Sequence, residues 1–227
     1  MFRTLLAALL ALQSLAPCQE VHPITGRQTA PVMGMGGAPW LVRPGREGEE
    51  APDAALDAIG IRKGSVVADI GAGVGYFTWR LAARVGSTGK VYAVDIQQPM
   101  LDRLRQNMAA RSLTNYQAIL GAADDPHLPP ASIDVALLVD VYHEFSQPQK
   151  MLRGIRVALA PAGRMVLLEY RKEDPNVPIL PAHKMSVAEV RAEIEPEGFR
   201  LDKTLENLPR QHILIFVKQA PEPKGAR

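Results

Sequence analysis

Beyond residue 51 the spacing of apolar residues alternates between two periods. Short unbroken apolar runs rich in β-branched residues, "SVVADI" and "DVALLV" among them, are separated by stretches in which apolar residues recur every three or four positions. Unbroken runs mark strands buried on both faces, and the longer period marks helices with one face in a core. The pattern predicts a helix over Pro52–Ile59, a strand within 64–70, a helix over Tyr76–Val85, a strand over Lys90–Asp95 and a helix over Pro99–Arg111. Strands at Tyr116–Leu120 and Asp134–Asp140, a helix at Pro148–Leu159 and a strand at Arg164–Glu169 follow. A helix over Val187–Glu195, a half-polar strand near Leu201–Leu205 and a strand over His212–Lys218 complete the series. Strands alternating with helices imply a parallel sheet covered on both faces. Only "ENLPRQ" separates the last two strands, and a parallel return needs about a dozen residues, so these two should form an antiparallel hairpin.

The chain ahead of this pattern is of another kind. "MFRTLLAALLALQSLAPCQE" has one early positive charge at Arg3, a continuous apolar stretch from Leu5 to Leu12, and small or turn residues from Ser14 to Cys18. That is the anatomy of a signal peptide over residues 1–18, and the apolar stretch falls short of the roughly 20 residues that span a bilayer. Export, to the periplasm or beyond the cell, is the expectation. "LAPC" resembles the bacterial lipobox, which makes Cys18 a candidate lipid anchor, but Pro17 stands where that pattern has a small residue. Cleavage after Cys18, leaving Gln19 first, fits the small-x-small rule about as well. Residues 19–50 lack sustained periodicity and are expected to form an extended arm. Its segment "PVMGMGGAPWLVRP" is too apolar for a free linker and should pack on the domain, either as a strap over an exposed edge or as a lid over a site. Residues 51–218 are then one domain, and 219–227 a disordered tail.

Charge and cysteine usage narrow the function. The 26 Lys and Arg residues nearly balance 24 Asp and Glu, and they are dispersed, whereas a nucleic-acid surface needs them clustered. Nucleic acid is not an expected partner. The single cysteine allows no internal disulfide and no cysteine-based metal cluster.

The stretch with the most specific chemistry is "VVADIGAGVGYF", where Gly71, Gly73 and Gly75 follow a buried strand ending near Asp69. A strand, a glycine turn and a helix form the unit that binds nucleotide-like ligands at the carboxyl ends of strands in open α/β sheets. A dinucleotide fold would use GxGxxG, and here Tyr76 stands at the position of its third glycine. An NAD-dependent oxidoreductase is therefore disfavoured. The segment resembles motif I of the class I S-adenosylmethionine-dependent methyltransferases, D/ExGxGxG, present as Asp69, Gly71, Gly73 and Gly75. Glycines let a backbone pass close to the ligand, and an acid can meet its ammonium group. Asp95, ending "VYAVD", suits the ribose hydroxyls, with Ile96 next to it at the same strand end. The resemblance covers roughly Ala51 to Lys218, is closest to the quinone-biosynthesis and related small-molecule branch, and implies a Rossmann-like, doubly wound, seven-stranded sheet with a C-terminal antiparallel hairpin. It implies S-adenosyl-L-methionine as cofactor and a small-molecule methyl acceptor. It also implies that "GAADDPHLP" edges the adenine, through Asp124 or Asp125, and that Asp140 lies near the methionine part of the cofactor.

Methyl transfer needs an acceptor in line with the methyl group and, where the acceptor carries a proton, a base. Candidates belong at the carboxyl ends of the fourth and fifth strands, in "DVYHEF" and "LLEYRKEDP". Tyr142, His143 and Glu169 are the candidate catalytic residues. His143 is the candidate base, since an imidazole titrates near neutral pH, and packing in the following helix is the plainer alternative. Glu169 could bind substrate or pair with an arginine; Glu144 is read as a solvated neighbour and His183 as an ordinary loop residue. Three metal ligands at credible spacing are not evident, so a metal-independent enzyme is expected. An exported, non-catalytic cofactor-binding or scaffold protein is the alternative from another class.

Overall fold

The computed structural model describes residues 21–219, so the expected signal peptide, Cys18 and all but the first residue of the expected tail lie outside the described residues. The arm is not extended. After a bridge between Val21 and Gln28 it turns into two short helices, α1 (Ala38–Leu41) and α2 (Arg46–Glu50). Pro39 suits the first turn of α1, and the Arg46–Glu50 pair, one helical turn apart, closes α2 with a 2.7 Å ion pair. Segments this short carry too few apolar positions for a period to register.

α3 (Pro52–Ile59) begins on Pro52 and stops at Gly60, whose left-handed φ of 74° suits a helix cap without a Cβ. Then follow β1 (Val66–Ile70), α4 (Thr78–Val85), β2 (Lys90–Asp95), α5 (Gln98–Ala109), β3 (Tyr116–Leu120) and β4 (Ile133–Val139). α6 (Pro148–Ala158), β5 (Leu159–Arg171), β6 (Lys184–Met185), α7 (Val187–Ile194), β7 (Phe199–Leu205) and β8 (Gln211–Lys218) complete the fold. Ser186 and Glu189 form a reciprocal capping box at the start of α7. The two-residue β6 pairs with the end of β5 and was not foreseen; it anchors the loop that carries His183.

The sheet order is β3-β2-β1-β4-β5-β8-β7, with β8 antiparallel to both β5 and β7. The expected doubly wound sheet and terminal hairpin are both present. Alternate residues feed two cores: Val67, Val135 and Leu137 face α3, α4 and α5, while Ala68, Ala136 and Leu138 face α6 and α7. The chain runs outward from β1 through β2 to β3, then returns to build the other half from β4. That reversal opens a crevice at the carboxyl ends of β1 and β4, where ligands of such sheets bind.

Candidate active site

One end of the crevice is built by the glycine turn. Gly71 and Gly73 adopt left-handed φ angles of 72° and 53°, and both line a cavity of about 380 Å³. A Cβ on Gly71 would fall inside the Val141 side chain, and one on Gly73 would stand 2.9 Å from Leu41 Cδ1. Gly75 does other work: its Cβ position lies 2.9 Å from Leu104, so it brings the turn against α5 and lies outside the cavity lining. Asp95 lines the cavity, its carboxylate accepting the Gly73 N–H at 2.8 Å and the Gln97 N–H at 2.9 Å. Burial raises its pKa against the pull of the Gln97, Gly73 and Ile96 N–H groups. Ile96 also lines the cavity. Asp69 is turned beneath the loop, 3% exposed, where it accepts the Thr78 hydroxyl at 2.6 Å. Burial pushes it up to about 6, the Thr78 bond opposing and the nearby Asp95 charge adding.

The arm supplies a second wall. Arg46 of α2 donates to the Leu41 carbonyl at 2.7 Å, lies over the Tyr76 ring and stands 3.8 Å from Asp140. Glu50 accepts the Tyr170 hydroxyl at 2.7 Å. Asp140, held in a left-handed φ of 49°, accepts two bonds from the Gln211 amide at 2.9 and 2.8 Å. Burial, then the charges of Glu50 and Glu169, holds its carboxyl well above the ordinary range. Val32, Met33, Trp40 and Leu41 also line the cavity. The apolar segment of the arm thus docks on the domain and walls the cavity at once.

The other end is imidazole and carboxylate. His143 Nδ1 lies 2.6 Å from Glu169, whose second interaction is with the Tyr142 N–H at 3.1 Å, and both side chains are buried. Burial pulls His143 down, but the charge and hydrogen bond of Glu169 outweigh it and its pKa is raised. His143 Nε2 faces His183 Nδ1 at 3.0 Å, with the two rings edge to face. Burial and the His143 charge lower His183. Glu144, beside them, is pushed up to about 7 by burial, the His143 charge opposing.

The fold brings Gly71, Gly73, Asp95, Ile96, Asp140 and His143 to one cavity. Asp69, Gly75, Asp124, Tyr142 and Glu169 lie outside its lining. Tyr142 opens a 3₁₀ turn, in which successive side chains diverge, and its side chain lies outside the lining that His143 and Glu144 share. Its ring packs on Phe145 and its hydroxyl lies 3.4 Å from His22 Nε2. Asp124 is outside the lining, 3.4 Å from Lys150, and its neighbour Ala123 lines the cavity instead. Glu169 pairs with His143 and lies under it instead of facing the cavity. Arg46, Glu50 and Gln211 were missed, and His183, read as an ordinary loop residue, and Glu144, read as a solvated neighbour, both line the cavity. The Arg46–Glu50 spacing was a readable signal, whereas nothing in the chain joined position 211 to 140 or 183 to 143.

Residues 61–208 match the family model described as a methyltransferase domain, and the chain belongs to that family. A ubiquinone/menaquinone biosynthesis C-methyltransferase of Escherichia fergusonii is 29% identical over 118 residues, 52% of this chain and 47% of that protein. The corresponding protein of Salmonella arizonae matches to the same extent. The chain spans about half the length of these curated relatives. Among solved structures, a SAM dependent methyltransferase from Aquifex aeolicus shares the fold with a TM-score of 0.77, at 24% identity, over 82% of this chain and 98% of that one. Family membership makes S-adenosylmethionine the cofactor, and the cleft fits it. Gly71 and Gly73 bring side-chain-free backbone to the cavity wall, packed so closely against Val141 and Leu41 that a Cβ would clash, and Asp95 keeps unused lone pairs at that wall. The volume lies within the range of about 300–1,000 Å³ usual for such sites.

Proposed function

We propose that this protein transfers a methyl group from S-adenosylmethionine to a small, largely apolar acceptor held against His143. The observation that carries the reading is one continuous cavity with Gly71, Gly73 and Asp95 at one end and His143, Glu144 and His183 at the other. Apolar side chains such as Val32, Phe145, Ile179 and Leu180 also line it. The bound cofactor supplies an electrophilic methyl group on a sulfonium. Asp95 and the glycine turn hold the cofactor, and the arm residues Met33 and Trp40 restrict water. Holding the reactants aligned is worth up to roughly 7–11 kcal/mol in favourable cases. His143 Nδ1–H is hydrogen-bonded to Glu169, so Nε2, which faces His183 Nδ1 at 3.0 Å, is the atom that takes a proton from the acceptor. Glu169 is a positioning residue that acts through His143. The curated relatives are named as C-methyltransferases of quinone biosynthesis, which favours a ring with an ionisable oxygen and an activated carbon.

The signal-like residues 1–18 favour a second reading, an exported binding protein without turnover. Export itself, with or without a lipid on Cys18, belongs to the proposal. Calorimetric titration with S-adenosylmethionine and its demethylated product, followed by methyl transfer to a panel of phenols and hydroquinones, tests both. Binding that Asp95→Ala weakens, together with transfer that His143→Gln abolishes while binding persists, is the expected result. Binding without transfer to any phenol or hydroquinone would move the assignment to the second reading, and binding of neither cofactor form would sink both.

A further inference from the structure

The sequence spacing gave no reason to expect a metal, yet the fold gathers a donor set that the methyl-transfer reading does not require. His143 Nε2 and His183 Nδ1 face each other at 3.0 Å, and a Glu144 carboxylate oxygen lies within 4.8 Å of both. All three residues line the cavity. We propose that His143, His183 and Glu144 form a binding site for a divalent first-row transition ion, open on its remaining side to the cavity.

Three observations carry this. The first is the donor chemistry, two imidazoles and one carboxylate, a set that suits zinc, ferrous iron and their neighbours when other positions stay open. The second is the N···N separation. At metal–nitrogen distances of about 2.0–2.1 Å, nitrogens 3.0 Å apart subtend roughly a right angle, that of adjacent positions in a six-coordinate ion. A tetrahedral ion would ask for about 3.3 Å, a few tenths more. The third is what lies behind His143. Glu169 is fully buried, anchored by the Tyr142 N–H, and accepts from Nδ1 at 2.6 Å, the carboxylate–histidine arrangement that fixes a ring with its other nitrogen free to ligate. His183 is held from behind as well: its N–H bonds to the Leu180 carbonyl, and the next residue, Lys184, pairs with β5. Glu144 is restrained by the Met33 N–H at 3.4 Å, so the arm helps to hold the third ligand within 4.8 Å of the other two.

The ion would sit where the acceptor is proposed to lie. With it bound, the His143 lone pair is committed, and the acceptor's oxygen is held by the ion instead of the imidazole. That half of the inference, an acceptor that binds a metal through oxygen, rests on the methyl-transfer reading; the ion site does not.

The test is titration of the metal-free full chain with Zn²⁺ by calorimetry and with Co²⁺ by visible absorption, in wild type, His183→Ala, Glu144→Ala and Cys18→Ser. One equivalent is expected, with affinity falling at least about 10-fold in His183→Ala and Glu144→Ala and unchanged in Cys18→Ser. Circular dichroism and thermal melts confirm that each variant is folded, and His183, on a surface loop, can be replaced without opening the core. Binding that is absent in wild type, or equal in wild type and His183→Ala, would overturn the site. A chain that binds the demethylated cofactor but no Zn²⁺ loses only the metal site, and one that binds Zn²⁺ but neither cofactor form loses only methyl transfer.

Discussion

Asp69 and the two cavity glycines make separate demands on the same turn. The fold raises the Asp69 pKa to about 6, so its contribution to stability is fully present below the unfolded value and lost as pH rises through about 6. Asp69→Asn keeps an acceptor for Thr78 and removes the charge. The stability of wild type minus that of the variant should therefore fall by about 3 kcal/mol between roughly pH 4 and 7, read from denaturant unfolding; a difference that does not change with pH would mean the carboxyl titrates normally. At Gly73 the conflict is with Leu41 of the arm. Gly73→Ala puts a Cβ into a left-handed position beside Leu41, at a strain of roughly 1–2 kcal/mol. Cofactor affinity should drop at least about tenfold while unfolding shifts by no more than that strain. Equal binding by Gly73→Ala and wild type would show that the cofactor does not approach this backbone.

At the scale of elements the arm is the unit that matters. Glu193 of α7, fully buried, accepts from Arg27 Nε and Nη2 at 3.0 Å each and from the Thr25 hydroxyl at 2.5 Å, with His22 at 3.5 Å. The same segment reaches the turn that carries His143, since Ala30 N–H and Arg27 Nη1 both donate to the His143 carbonyl. Removing one partner of a buried pair costs about 3–5 kcal/mol. Glu193→Ala should lose that much in denaturant unfolding and should expose the arm to limited proteolysis near Arg27; an arm as resistant as wild type would place its anchor elsewhere. None of this latch was legible in the sequence, because Thr25 and Glu193 are joined only by tertiary folding. What was legible had a local cause. β1, the glycine turn and Asp95 follow from strand ends in an open sheet, and the closing hairpin follows from a six-residue connection too short for a crossover. His143 was located by its strand end, but the direction of its neighbour Tyr142 depended on the 3₁₀ turn that follows, which no period announces.

For the molecule as a whole, the cavity joins distant parts of the chain, and cofactor should stabilise them together. At a concentration of 100 times Kd a ligand adds about 2.7 kcal/mol, which for a chain of this size is a rise in melting temperature of roughly 5–10 °C. The demethylated cofactor should produce that shift in wild type and much less in Asp95→Ala; a shift of equal size in both would place the ligand away from this cleft. The wall of the cavity also has a bearing on how the protein is made. Arg46 comes from the arm, Asp140 from the end of β4, and Gln211, which fixes the Asp140 carboxylate, from the last strand. On the ribosome, therefore, the strands and the glycine turn emerge long before the pocket exists. A nascent chain halted short of residue 211 can pair β1 with β2 and β4, yet it leaves Asp140 without its amide partner and β5 without the neighbour that covers its edge. The last hydrogen bonds that fix this wall are therefore made late in biogenesis, when β8 settles between β5 and β7.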